Sequence, residues 1–146
     1  MVTCADTSFL FSLYGNDANT PNALDWLRNH PCVITVTRLN DFELGNALRF
    51  SEFKQFIPLG AASKYWRDYQ QDRDAGRIRM TDCNLAEVLA SAVKLSEEWT
   101  LPHGHRSFDI LHVAGALVCK AHRFLTFDHN QSHLAHRVGM TPCPVQ

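Results

Sequence analysis

Four acidic residues stand where a globular chain rarely puts acids. Asp6 closes a short apolar run in VTCADTSFL, and Asp128 follows another in FLTFDHN. Glu43 in TRLNDFELGNALRF and Asp109 in RSFDILHVAGAL lie against the apolar stripes of helical segments. Acids normally sit on solvated surfaces, so four at the edge of the core suggest one shared carboxylate pocket. Clustered carboxylates repel each other, and at least one takes a raised pKa unless a cation offsets the charge. An all-oxygen donor set favours Mg²⁺ or Mn²⁺ over zinc. Such clusters suit in-line hydrolysis of phosphodiesters with one or two metals.

Each acid also has a structural reading of its own. Asp6-Thr7-Ser8 can be a turn and helix cap. Glu43 can be a solvated helix acid, Asp109 can serve only the dipole of its helix, and Asp128 can be a turn residue. Their order and context together favour the pocket.

The elements that must position these acids follow from periodicity and punctuation. Val2 to Ala5 reads as a buried strand, and Thr7-Ser8 as the start of a helix closed by Gly15-Asn16. Thr20-Pro21 opens a second helix, ended by His30-Pro31. The β-branched Cys32 to Val36 segment is a second strand. Helices follow over Arg38 to Phe53, after Thr37 as cap, and over Ala61 to Asp74, with Pro58 to Gly60 between them. Ile78 to Thr81 is a third strand. Leu85 to Trp99 carries a helical apolar period, with a loop expected over Pro102 to Gly104. Ser107 to Ala121 is helical, Phe124 to Phe127 a strand and His129 to Val138 a last helix. The tail from Met140 adds an edge strand, interrupted by Pro142 and Pro144.

Strands alternating with helices predict an α/β fold with a central, mostly parallel sheet flanked by helices. Sites in such sheets form beyond the carboxyl ends of the strands, where Asp6 and Asp128 emerge. Leu39, Glu43 and Ala47 share one helical face, and Asp109 has His112 and Val113 on its own. His112 is placed to hydrogen-bond Asp109, and Arg106 to contact phosphate.

The chain of 146 residues is expected to form one domain over 1–146. Its formal net charge of -1 gives nucleic-acid binding no support from overall charge. The five cysteines are odd in number, scattered and free of any CxxC pair, which argues against a disulfide framework or a thiolate zinc site and fits a reducing cytoplasm. No signal peptide or membrane-spanning run is apparent, so the expectation is a soluble cytoplasmic protein. P-loop, GxGxxG and GxSxG motifs are absent. His129, His133 and His136 share a helical face; a zinc or nickel site there competes with a plain solvated surface.

These segments together resemble the PIN domain family, most closely its VapC-type toxin ribonucleases. ADTSFL resembles the family's strand–Asp–[Ser/Thr] opening, TRLNDFELGNALR its second-acid helix, SFDILHVAGAL its third-acid helix and FLTFDHN its strand ending in Thr-x-Asp. The resemblance runs nearly end to end and implies a PIN-like three-layer fold and a metal-dependent endoribonuclease. Asp6, Glu43, Asp109 and Asp128 would be both catalytic and metal-binding residues, for Mg²⁺ or Mn²⁺. Asp6 and Asp109 would be the central ligands, and the hydroxyls of Thr7, Ser8 and Thr126 would stand nearby. The resemblance also implies an RNA substrate, a cognate antitoxin that buries the acidic cleft, and a homodimer. A PIN nuclease of RNA processing and a PIN-like module that binds without cleaving are the alternatives. The pattern departs in one place: after Asp128, where the family often carries an aromatic residue, this chain reads His129-Asn130-Gln131.

Overall fold

A computed structural model describes residues 1–144. Five strands form one sheet: β1 (Thr3–Ala5), β2 (Ile34–Val36), β3 (Ile78–Met80), β4 (Arg123–Leu125) and β5 (Thr141–Cys143). Their spatial order is β3-β2-β1-β4-β5, and every pairing is parallel. The chain thus builds outward from β1 to β3, then returns to the other side of β1 to place β4. This reversal opens a crevice beyond the carboxyl ends of β1 and β4, the place where open parallel sheets hold their sites.

Alternation along the central strands divides the core in two. Ala5 and Leu125 point into one apolar cluster, and Cys4 and Phe124 into the other. The first cluster is completed by α1 (Thr7–Tyr14), α2 (Thr20–Asn29), α3 (Arg38–Phe53) and α4 (Ala61–Asp74) through Phe9, Leu10, Ala23, Leu44, Leu48 and Tyr69. The second is completed by α5 (Leu85–Leu95), α7 (Ser107–Val118) and α8 (His129–Arg137) through Val88, Val113, Ala114 and Leu134. The result is the expected three-layer α/β arrangement. Helix α3 is fastened to α4 by Tyr69, whose hydroxyl donates to Asp41 Oδ1 at 2.6 Å, and by Arg73, 2.8 Å from Asp41 Oδ2. Those contacts set the pitch of the helix that carries Glu43.

Two expectations from sequence need correction. Pro102 to Gly104 is not a loop throughout. A π-helical stretch over Ser96–Thr100 leads into α6 (Leu101–His103). Widening the helix ahead of Pro102 relieves the clash between a proline ring and the carbonyl four residues back. The helix ends only at Gly104, whose φ of 71° is the left-handed conformation glycine adopts without cost. Pro142 does not interrupt the last strand either. It pairs with Phe124 inside β5. The ladder bonds there run from the Thr141 N–H to the His122 carbonyl and from the Thr126 N–H to the Cys143 carbonyl, so no bond needs the N–H that proline lacks. As an edge strand, β5 tolerates the residue.

Phe124 is fully buried against α7 and α8. Phe124→Ala is expected to destabilise the protein by roughly 3–5 kcal/mol, read as a lower urea midpoint.

Candidate acidic active site

Asp6 is the residue that follows β1, and it caps α1. Its backbone N–H still donates to the Leu125 carbonyl at 3.0 Å, so the ladder with β4 runs up to the acid itself. The carboxylate is wholly buried. Oδ1 accepts the Phe9 N–H at 2.9 Å, Oδ2 accepts the Thr126 hydroxyl at 2.6 Å, and the Ser8 hydroxyl lies 2.8 Å from both oxygens. Burial pushes the carboxyl up from 3.8 to about 6, against the lowering effect of Thr126, Phe9, Ser8 and His112.

Thr126 extends this network to the fourth acid: its Oγ1 accepts the Asp128 N–H at 2.9 Å. Asp128 caps α8 by accepting the Gln131 N–H at 2.9 Å. The Gln131 side-chain amide then donates to Asp109 Oδ1 at 3.1 Å. One glutamine thus connects the third and fourth acids in the corner where the sequence lacks an aromatic. Burial raises the pKa of Asp109, and the neighbouring Asp128 charge adds to the rise; Arg106, 3.5 Å away and largely exposed, pulls the other way.

Glu43 is held from α7. His112 Nε2 lies 3.0 Å from Glu43 Oε2 and 3.3 Å from the Thr7 hydroxyl. The proton on that ring can be located. Asn40 Oδ1 accepts the Thr37 N–H at 2.9 Å, which fixes the amide orientation. Its Nδ2 donates to the Ala5 carbonyl at 3.1 Å and faces His112 Nδ1 at 3.4 Å. Nδ1 is then the acceptor, and Nε2 carries the proton toward Glu43. Burial would raise the Glu43 carboxyl, but the hydrogen bond and electrostatic pull of His112, with Thr7, outweigh it and leave a net lowering. His112 therefore serves Glu43 rather than bonding Asp109 as its helical spacing suggested.

Glu43, Asp109 and Asp128 line one cleft of about 580 Å³ with Thr7, Ser8 and Arg106. Arg106 is the only Lys or Arg among the described lining residues. Asp6 lies behind the wall formed by Thr7 and Ser8. Three donors occupy its carboxylate, leaving about one of its roughly four lone-pair directions. The donor set is all oxygen, with two carboxyls raised by burial and crowding, and it fits a hard divalent cation. Among the described residues no three His, Cys, Asp or Glu side chains converge closely enough to hold a metal by themselves. His129, His133 and His136 are exposed and form no such group.

Asn40 and Gln131 were not anticipated. Both left a trace in the sequence: Asn40 stands three residues before Glu43 on its helix, and Asp128-x-x-Gln131 is a capping pattern.

Fold and site together define an open parallel α/β domain with an acidic cleft at its topological switch point. The chain belongs to the PIN domain family, whose model matches residues 3–137. No curated protein matches it in sequence. Similar solved structures include PAE2754 from Pyrobaculum aerophilum, at 17% identity and a TM-score of 0.61, covering 97% of this chain and 89% of that one. VapBC2 from Rickettsia felis, bound to a DNA fragment from its promoter, matches at 14% identity and TM-score 0.65 over 97% of each chain. A toxin–antitoxin complex from Klebsiella pneumoniae matches at 14% identity and TM-score 0.59 over 89% of each chain.

A buried carboxyl whose folded pKa exceeds its unfolded one binds its proton preferentially in the folded state. In metal-free protein, stability should therefore fall as pH rises from about 4 through about 6, by an amount on the order of 2–3 kcal/mol for Asp6. Urea unfolding in EDTA at pH 4 and pH 7 tests this. Asp6→Asn should flatten the difference; an unchanged pH dependence in the variant would refute the assignment.

Proposed function

We propose that this protein is a Mg²⁺- or Mn²⁺-dependent endoribonuclease acting as the toxin of a type II toxin–antitoxin pair. The observation that carries the reading is the acid cleft itself: Glu43, Asp109, Asp128 and Asp17 line it, Asp6 lies buried behind Thr7 and Ser8, and a single exposed arginine opposes them. That arrangement leaves negative charge uncompensated at neutral pH, which a hydrolytic site for a metal would exploit and a structural surface would not need. Similarity to solved toxin–antitoxin structures favours the toxin setting over RNA processing.

Of the four acids singled out from the sequence, Asp109, Asp128 and Glu43 reach the cleft, which Asp17 also lines, and Asp6 behind them has about one acceptor direction left. The metal, when bound, supplies Lewis-acid polarisation of the phosphoryl group and a more acidic water. Every other contribution comes from the chain. Gln131 sets the orientation of Asp109. The His112 Nε2–H keeps Glu43 charged and aimed, with Asn40 behind it holding the tautomer. Asp109, its pKa raised, accepts a proton more readily than a solvated aspartate. Arg106 can pair with a phosphate oxygen of the RNA at the rim. The antitoxin is expected to cover the cleft and bring a basic side chain to the acids. Phe50 and Phe56, both largely exposed, offer apolar contact on the same wall.

RNA cleavage by purified protein with Mg²⁺, Mn²⁺ or EDTA tests the reading. Asp109→Asn should lose about 10²–10⁴-fold in rate, and cation binding by calorimetry should weaken with it. Asn40→Ala, which touches neither cleft nor substrate, should cost about 10–100-fold through Glu43. Cation binding without cleavage of any RNA would favour the non-cleaving module; full activity in Asp109→Asn would place the site elsewhere. Paired copies belong to the same reading, and sedimentation should then give twice the chain mass of 16.6 kDa.

A further inference from the structure

Three of the five cysteines, well separated in sequence, meet in the apolar layer of α5 and α7. Cys83 lies between β3 and α5, and Cys119 caps the carboxyl end of α7. Their Sγ atoms stand 3.0 Å apart. Cys4, on the central strand, hydrogen-bonds Cys119 from below and is itself 4% exposed. Cys83 and Cys119 are only partly buried. Cys83 also lines an apolar pocket of about 320 Å³ with Leu39, Phe42, Leu85 and Val88, a route by which a small reagent reaches the pair.

We propose that Cys83 and Cys119 form a reversible intramolecular disulfide, a covalent tie between the β3–α5 segment and the end of α7. A disulfide needs its sulfurs at about 2.05 Å. From 3.0 Å, closure takes a movement of roughly 1 Å, within the freedom of side-chain rotation at a helix cap and an adjoining loop. The reaction balances with a small-molecule disulfide or a peroxide as oxidant. With a small disulfide, the two thiols give up two protons and two electrons, and the reagent leaves as two thiols. With hydrogen peroxide, two waters leave. Burial, the Cys119 contact and the nearby Asp82 and Glu87 charges push the Cys83 thiol up to about 12. The Cys83 thiol is therefore protonated at neutral pH, which slows its attack on an oxidant. The assignment of these cysteines as scattered holds only along the chain; in the fold they are neighbours.

The test treats the intact protein with oxidised glutathione or hydrogen peroxide, followed by blocking of free thiols and peptide mapping. Expected is a species with no disulfide between chains, free thiols reduced from five to three, and a Cys83–Cys119 linked peptide that dithiothreitol removes. The oxidised form should melt higher by roughly 5–10 °C, because the link closes a 36-residue span. Cys83→Ser should abolish the linked peptide and the rise in Tm while leaving the circular dichroism of the reduced protein unchanged. A Cys4–Cys119 link, links only between molecules, or five free thiols after oxidation would each overturn the proposal. None of these outcomes depends on whether the acid cleft cuts RNA.

Discussion

A carboxylate removed from water must find its hydrogen bonds inside the protein, or it forfeits its charge. Asp6 meets that demand at the end of the central strand, and its neighbours are arranged around it. Its first donor is the α1 backbone, so the acid cannot be moved without uncapping the helix. Its second and third donors are hydroxyls, one from α1 and one from the end of β4. Thr126 in turn receives the Asp128 N–H. The first and fourth acids are therefore spaced by one shared hydroxyl rather than by independent folding of two segments.

The other half of the site obeys the same logic from the opposite direction. Asn40 bonds the carbonyl of Ala5, the residue immediately before Asp6. Helix α3 is thereby registered against β1, and Asn40 also sets the tautomer of His112 on α7. Glu43 and Asp109 belong to helices that pack on different layers, yet their positions are read off the same strand end. A parallel sheet that reverses its direction of growth at β1 supplies the space for this meeting. The acids remain near each other because buried polar contacts, each worth only about 1 kcal/mol net, become costly to break once desolvated.

The carboxyls of that arrangement are shifted in two directions. Asp6 and Asp109 both carry carboxyls raised by burial, and Asp109 also by the adjacent Asp128. Glu43 is the exception, lowered by the imidazole that faces it. Two kinds of carboxyl in one cleft is the usual physical basis for dividing labour between a charge held for binding and one able to exchange a proton. The thiol pair beside α5 and α7 shows another use of the interior: desolvation first at Cys83, and the Cys4 hydrogen bond first at Cys119, hold both groups as neutral thiols.

Much of this protein was legible in its linear order. Short β-branched runs, helix caps and apolar periods located every strand and nearly every helix, since these are decided within a few residues. The four acids were singled out because each broke a local rule, standing where an apolar stripe or strand end predicts no charge. What the linear order did not contain is who faces whom. The link from Asn40 through His112 to Glu43 exists only because α3 and α7 cross at the end of β1, and helical spacing alone pointed His112 to Asp109. Likewise, nothing local says that Asp6 sits behind the cleft wall, that Gln131 joins two acids, or that Cys83 lies against Cys119. Those are contacts between residues distant in sequence, and they are decided by the packing of layers and the order of strands. A chain encodes its elements residue by residue, but a site is made by the directions in which those elements are forced to point.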